Sequence, residues 1–394
     1  MSAFTGGLAR ARELLIERFG HAAFRAHQVR VLGPLLAGRS VLAVLPTGAG
    51  KSLCYQLPAL MAPGLTLVVT PLISLMQDQV ATLRRRGIAA AYLNSLLRPE
   101  QRRIVLDAAL HGRLKLLYCA PERLGALVPR LVRAAQPVSL LAVDEAHCIV
   151  EWGNEFRPVY RRLGEYRYRL QRPPTIALTG SATPAARAEI LQVLRLPHAE
   201  LVVTSFDRAN LVFAVERVSD DRARFAGLRR RIREADGHTI VYAPTRRLTE
   251  LVARALLRMG VRAAPYHAGL SAGTRRQVLL EFLRDRVPVV VATSAFGMGI
   301  DKADVRRVVH WGPPRTLEGY YQEAGRAGRD GRRSECVLLW HGFDCGWSDA
   351  TAEVRRYLAT RTCRRSTLLA YFGERAPTCS GCDACGVGSY RPST

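Results

Sequence analysis

Short apolar runs alternate with amphipathic stretches along most of the chain. "SVLAVLP" (40–46), "LTLVVTP" (65–71), "KLLYCAP" (115–121), "SLLAVDE" (139–145) and "TIALTG" (175–180) are nearly continuous in hydrophobicity. Runs this short, without the polar alternation of a half-exposed strand, predict central strands of a parallel sheet buried on both faces. Between them, "SLMQDQVATLRRRG" has helical spacing and closes on Gly87, a C-capping residue. The pattern then restarts with "HTIVYAPT" (238–245), a helix "LTELVARALLRMG" ending at Gly260 and "RAAPYHAGL" (262–270). A helix around "RRQVLLEFLRD", then "VPVVVATS" (287–294) and "RRVVHWG" (306–312), complete a second α/β unit. "LVVTSFDRANLVF" (201–213) reads as the crossing between the two, which sets a boundary near residue 206.

Length agrees with this division, since 394 residues exceed one comfortable core. No stretch of about 18 apolar residues occurs, and the N-terminal "MSAFTGGLARARELLIERFG" lacks the apolar block of a signal peptide. A soluble intracellular protein is expected.

Charge changes the picture more. The formal net charge is +25, and apart from Lys51, Lys115 and Lys302 every basic residue is an arginine. A GC-rich genome explains arginine in place of lysine, but that exchange is charge-neutral and leaves the excess of cations unexplained. A polyanionic partner accounts for it.

Three groups of residues carry candidate chemistry. After the first strand, "LPTGAGKS" (45–52) joins a glycine-containing loop to Lys-Ser at a helix start, an arrangement that gathers backbone N–H groups around a phosphate chain. Thr47, Gly48, Ala49 and Gly50 form the cradle, Lys51 reaches the β and γ phosphates, and Ser52 holds Mg²⁺; Leu45 stands where the strict form of the motif has its first glycine. The strand "SLLAVDEAH" delivers Asp144 to complete the Mg²⁺ sphere and Glu145 to orient and deprotonate water. An acidic pair alone is an ordinary solvated turn; behind a P-loop it reads as catalytic. The second unit has no P-loop but ends in "YYQEAGRAGRDG" (320–331), where Gln322 and the permanently charged Arg326 and Arg329 are suited to a transferring phosphoryl group.

The cysteines divide. Cys54, Cys119, Cys148, Cys336 and Cys345 are scattered and read as small core residues of a reducing compartment. Cys379, Cys382 and Cys385 make two overlapping C-x-x-C spacings, and with Cys363, expected on a helix, they supply four thiolates for a structural, tetrahedral Zn²⁺.

"TGAGKS", "TPLISLMQDQV", "YCAPERL", "DEAHCI", "ALTGSATP", "IVYAPTR", "VVVATSAFGMGIDKADVRRVVH" and "YYQEAGRAGRDG", in this order, resemble the ordered motifs of the RecQ family of ATP-dependent DNA helicases. "FGHAAFRAHQ" (19–28) resembles that family's adenine-reading element. The resemblance runs from about residue 8 to residue 386. It implies two tandem RecA-like α/β lobes, 1–206 and 207–342, followed by a small helical zinc-binding segment, 343–394. ATP and Mg²⁺ are expected between the lobes, with Lys51, Ser52, Asp144 and Glu145 on one wall and Arg326 and Arg329 on the other.

By the same resemblance Gln28 reads the adenine edge, Arg25 stacks on the ring, and His147 with the "TGSAT" segment (Thr179 to Thr183) relays between lobes. His21 stands where many members have an aromatic ring, and Gly180-Ser181 replaces the commoner Ala-Thr. The stretch after DEAH corresponds to an aromatic-rich loop that senses single-stranded DNA, through Trp152 and Phe156, which stack on bases, and Arg157, which pairs with phosphate or stacks. Asn154-Glu155 departs from the usual His-Asp there.

The implied activity is ATP-driven 3′ to 5′ translocation and unwinding of single-stranded and partially duplex DNA in repair and recombination. The implied setting is a monomer in a bacterial cytoplasm, associated with the nucleoid and with DNA-repair proteins. Nine residues follow Cys385, too few for the winged-helix or terminal helical DNA-binding domains of many members, so the chain reads as a minimal form or as part of a longer protein. Three alternatives stay open: a DNA-stimulated translocase or annealing protein that unwinds poorly, a nonenzymatic DNA-binding scaffold, and an RNA helicase.

Overall fold

The computed structural model describes residues 6–46, 48–152, 158–234, 236–297, 302–342, 344, 347–376 and 378–386, the side chains of Ser74, Glu151 and Trp152 excepted. Two compact units divide the chain, Met1–Ser205 and Phe206–Thr394.

Seven parallel strands form the sheet of the first unit. They are β1 (Val41–Val44), β2 (Leu65–Val69), β3 (Ala90–Leu93), β4 (Leu116–Cys119), β5 (Val138–Val143), β6 (Thr175–Thr179) and β7 (Glu200–Val203), in the order β3-β4-β2-β5-β6-β1-β7. The pairs in register run parallel throughout, as Val44 beside Thr179 and Val69 beside Val143 illustrate. β1, β2, β4, β5 and β6 are buried at every position because helices cover both faces. Helices Gly7–Phe19, Ala26–Leu36 and Leu53–Met61 contribute Leu15, Val31, Leu35 and Tyr55 to one core, against Ala43, Val68, Leu140 and Leu178 of the strands. The helix Ile73–Arg85 stops as expected, with Gly87 in the left-handed region at φ 70.

The second unit holds six parallel strands, β8 (Leu211–Arg217), β9 (His238–Tyr242), β10 (Ala263–Tyr266), β11 (Val289–Ala292), β12 (Val305–Trp311) and β13 (Ser334–Trp340), in the order β10-β11-β9-β12-β13-β8. Its core gathers Val241, Val291, Val309, Trp311 and Val337 beneath Val252 and Leu256 of the helix Arg246–Arg258. The stretch 201–213, read as a crossing, is shorter than that: its first residues belong to β7, paired with β1, and its last to β8, paired with β13. Among the described residues no helix is long and apolar enough to cross a membrane.

The cysteine-bearing segment is built onto β8. Cys382 bridges to Phe213, and Asp383 accepts the Val215 N–H (3.0 Å) and Arg364 Nε (3.0 Å). Arg365, 1% exposed, ion-pairs with Asp207 and donates to the carbonyls of Arg208 and Leu211. Phe206 stacks on Phe372, ring centroids 4.6 Å apart. Edge strand and segment therefore share one core.

Candidate nucleotide site and cysteine centre

The P-loop turns through two left-handed glycines, Gly48 at φ 81 and Gly50 at φ 75, before the helix Leu53–Met61 begins. A Cβ on Gly50 would lie 2.6 Å from Gln28 Nε2 and push that amide aside, while the left-handed backbone itself favours glycine there. Three successive loop carbonyls are held from the N-terminus of the helix Ala26–Leu36. Arg25 Nη1 donates to Gly48 O (2.6 Å), His27 Nε2 to Ala49 O (2.8 Å) and the Gln28 amide to Gly50 O (3.3 Å). A carbonyl only accepts, so the His27 proton resides on Nε2. Gln28 Oε1 also accepts the Arg25 N–H at 2.9 Å.

The donors of the same loop are differently placed. Among the described residues the backbone N–H groups of Gly50, Lys51 and Ser52 reach no protein acceptor. Lys51 Nζ lies 3.3 Å from Leu45 O, and among the described residues no carboxylate lies within ion-pair distance of it. Unengaged N–H groups at a helix start beside an ammonium fit the oxygens of a phosphate chain.

Asp144 and Glu145 follow β5 directly. Asp144 is buried, 7% exposed, and accepts the Glu145 N–H at 3.0 Å. Burial and the adjacent Glu145 charge push its carboxyl up to about 7, against the pull of Lys51. A buried carboxylate so poorly compensated suits a divalent cation, and Ser52, half-buried at the head of the helix Leu53–Met61 that follows the P-loop, offers a hydroxyl. Glu145 sits at φ 51, an uncommon conformation for a side-chain-bearing residue, and its Oε2 lies 3.4 Å from His147 Nδ1. His147 Nδ1 is also 3.1 Å from Thr179 Oγ1. The Thr179 hydroxyl donates to Ser181 O (2.9 Å), so its oxygen accepts from the ring, and the proton of His147 is on Nδ1. A continuous polar path thus joins the acidic pair to the 179–183 segment.

In the second unit Gln322 lies on the helix Leu317–Ala324. Arg326 is buried, donates to Gly297 O and sits beside Tyr242, whose hydroxyl donates to Phe296 O at 2.7 Å. Arg329 is half-buried. Thr47, Phe156 and Arg157, with Asn154 and Glu155, lie outside the described residues; Trp152 closes a short helix, Cys148–Trp152, its side chain likewise outside. His27 escaped sequence reasoning: a histidine next to a glutamine carries no signal until the loop is seen folded against it.

One sulfur of each of Cys363, Cys379, Cys382 and Cys385 lies within 4.8 Å of all the others, with Cys363 and Cys382 Sγ 4.0 Å apart. Tetrahedral zinc with Zn–S bonds of about 2.3 Å needs sulfurs roughly 3.8 Å apart, so the set fits. Cys363 is not within a helix as expected: it caps the helix Arg364–Tyr371, where its Sγ accepts the Ser366 N–H at 3.4 Å. Of the scattered cysteines, Cys54, Cys119, Cys148 and Cys336 are buried as expected, and Cys345 lies outside the described residues.

Three family models match in series: DEAD/DEAH box helicase over residues 25–191, helicase conserved C-terminal domain over 223–331 and RecQ zinc-binding over 348–386. The probable ATP-dependent DNA helicase RecS of Bacillus subtilis is 41% identical over 84% of this chain and 67% of its own length. The chain belongs to the RecQ family. The ATP-dependent DNA helicase RecQ of Haemophilus influenzae is 41% identical over 95% of this RecQ-family chain, which spans 63% of that protein's length. In fold, the chain is similar to the Mycobacterium smegmatis helicase Lhr bound to ssDNA and AMP-PNP, with a TM-score of 0.64 at 23% identity over 86% of this chain and 48% of that one. Its RecQ zinc-binding match spans the four cysteines.

Proposed function

We propose that this chain is an ATP-dependent DNA helicase of the RecQ type, coupling hydrolysis of Mg-ATP to 3′ to 5′ movement along single-stranded DNA and to strand separation. One observation carries the reading: the P-loop carbonyls are tied back by Arg25, His27 and Gln28, while the Gly50, Lys51 and Ser52 N–H groups meet no acceptor among the described residues. A loop in that condition recognises an anion with several oxygens.

Thr47, Gly48, Ala49 and Gly50 wrap the phosphates, and Lys51 neutralises the β and γ groups. Ser52 and Asp144 hold Mg²⁺, which when bound supplies charge neutralisation at the phosphoryl oxygens. Glu145 takes the proton of the attacking water, oriented by His147 from below. Arg25 and Gln28, already at the loop, contact the adenine. Gln322, Arg326 and Arg329 act on the nucleotide, the arginines on charge developing at the γ-phosphoryl group. Trp152, Phe156 and Arg157 sense single-stranded DNA and report to Glu145. The four-cysteine centre holds Zn²⁺ for structure only. The chain acts as a monomer on single-stranded and partially duplex DNA, among repair proteins at the bacterial nucleoid.

ATP turnover with and without single-stranded DNA tests this, beside unwinding of a tailed duplex. Lys51→Ala abolishes turnover, and Trp152→Ala removes the stimulation by DNA. Turnover without strand separation would reduce the reading to a DNA-stimulated translocase, and a wild-type chain inert toward ATP would overturn it.

A further inference from the structure

We propose that the first unit carries a second nucleic-acid contact, a phosphodiester-binding pocket formed by Arg39, Arg167, Arg172 and Arg195 at the N-terminal edge of β1, β6 and β7. The pocket is an open concavity of about 610 Å³ whose lining also includes Leu196 and Pro197. It lies at the opposite end of the strands from the P-loop: Ser40, in its wall, precedes β1, whereas the loop follows β1. Four strand residues separate the two by at least about 13 Å.

Its cations come from four segments and are poorly compensated. Arg39 pairs with Glu200 at 2.9 Å, an exposed contact of little worth. Arg167 is held by neutral acceptors, Thr175 Oγ1 (3.0 Å) and Arg195 O (3.3 Å). Burial, and after it the nearby charge of Arg172, weaken its hold on its proton. Arg172 lies over the Tyr168 ring at 4.7 Å, and Arg195 has no ion pair among the described residues. Arg172 and Arg195 both occupy the left-handed region, at φ 55 and φ 54.

A phosphate chemistry follows from guanidiniums converging on a concave site. The polymer, rather than a free nucleotide, follows from what lies beside it. From Arg161 to Arg172 the chain carries five arginines; Arg161 pairs with Glu189, and Arg162 and Arg169 share the single Glu165, so the segment that bears Arg167 and Arg172 keeps an excess of positive charge beside the pocket. Tyr168, 55% exposed, offers a ring on that strip to a base or sugar. The proposal is independent of ATP hydrolysis and of the P-loop.

The test is equilibrium binding of a fluorescent tailed duplex by the full chain across a series of salt concentrations, without nucleotide. Arg172→Gln/Arg195→Gln should lower the slope of log K against log salt by about 1.8, two phosphate contacts at 0.9 each. The charge-keeping Arg172→Lys/Arg195→Lys should hold the wild-type slope, which separates lost contact from misfolding. Arg103→Gln/Arg133→Gln removes two exposed arginines of the same unit outside the pocket and should change the slope by less than half as much. Equal slopes in the two Gln variants, or no change in either, would overturn the proposal. So would a pocket variant that loses affinity for tripolyphosphate while its DNA slope stays at the wild-type value, because the occupant would then be a small anion.

Discussion

Both units stack helices on a parallel sheet, yet they treat buried charge in opposite ways. The second unit buries Arg224, Arg231, Arg306, Arg364 and Arg365, each beside a carboxylate: Asp344, Glu216, Asp330, Asp383 and Asp207. The first buries one side chain of the fully charged types among its described residues, Asp144, and no cation pairs with it. The second has one exception of its own, Arg326, which is buried on a carbonyl instead of a carboxylate. A buried ion left without its counter-ion is costly, so it persists where a ligand completes it. The two unmatched charges are the ones that the motifs assign to nucleotide. Paired buried arginines hold the second unit together, and the unpaired groups are available for chemistry.

That contrast can be broken in four places. Arg326→Ala should lower kcat by about 10³-fold or more, the range for an arginine acting on a transferring phosphoryl group, with little loss of stability. A folded variant with near wild-type turnover would remove Arg326 from the unmatched class. Asp344→Asn should do the reverse, leaving buried Arg224 with only the exposed Asp221, 3.5 Å away, as a counter-ion. We expect a loss of about 3–5 kcal/mol in the unfolding of the second unit. Trp311, whose ring lies 5.0 Å from the Arg224 guanidinium, reports it by fluorescence during urea titration. A loss under 1 kcal/mol would mean that the pair is dispensable.

His27→Ala releases the Ala49 carbonyl and should raise KM for ATP about fivefold, the equivalent of one net hydrogen bond near 1 kcal/mol. The effect on kcat should be smaller, and steady-state kinetics separates the two.

The smallest effect concerns pH. The folded pKa of Asp144 is raised, so the folded form holds a proton that the unfolded chain releases. Its contribution to stability is therefore present below the unfolded carboxylate range and is lost as pH rises to about 7. Asp144→Asn carries no such penalty and should melt roughly 2–4 °C above wild type at pH 8, the shift for 1 kcal/mol in a domain of this size. The difference should shrink toward pH 4. A variant that melts lower at pH 8 would show that Asp144 is compensated within the protein.

Much of the fold was legible because buried parallel strands announce themselves as apolar runs. Two of the strands that were not read have weaker signals, whereas β13, "SECVLLW", is an apolar run that was passed over. β3 is "AAYL", with no β-branched residue, and β7, "ELVV", was merged into the crossing although it is the edge strand beside β1. The P-loop, the acidic pair and the four cysteines were legible because each depends on spacing within a short stretch. Cys363 was placed inside a helix because a cysteine is a poor advertisement for an N-cap; the role appears only with Ser366 seen donating to its sulfur.

The chain by itself determined where a phosphate loop turns, where two carboxylates leave a strand, how four thiolates can converge and how much positive charge the molecule carries. Those follow from backbone geometry and covalent spacing, which act over a few residues. Tertiary structure alone decided that His27 reaches the loop, that Asp144 and Arg326 have no ion-pair partner among the described residues where their neighbours have one, and that Arg39, Arg167, Arg172 and Arg195 meet in one pocket. Charge compensation depends on burial and on partners more than a hundred residues away, as Arg224 and Asp344 are, and no local pattern encodes it.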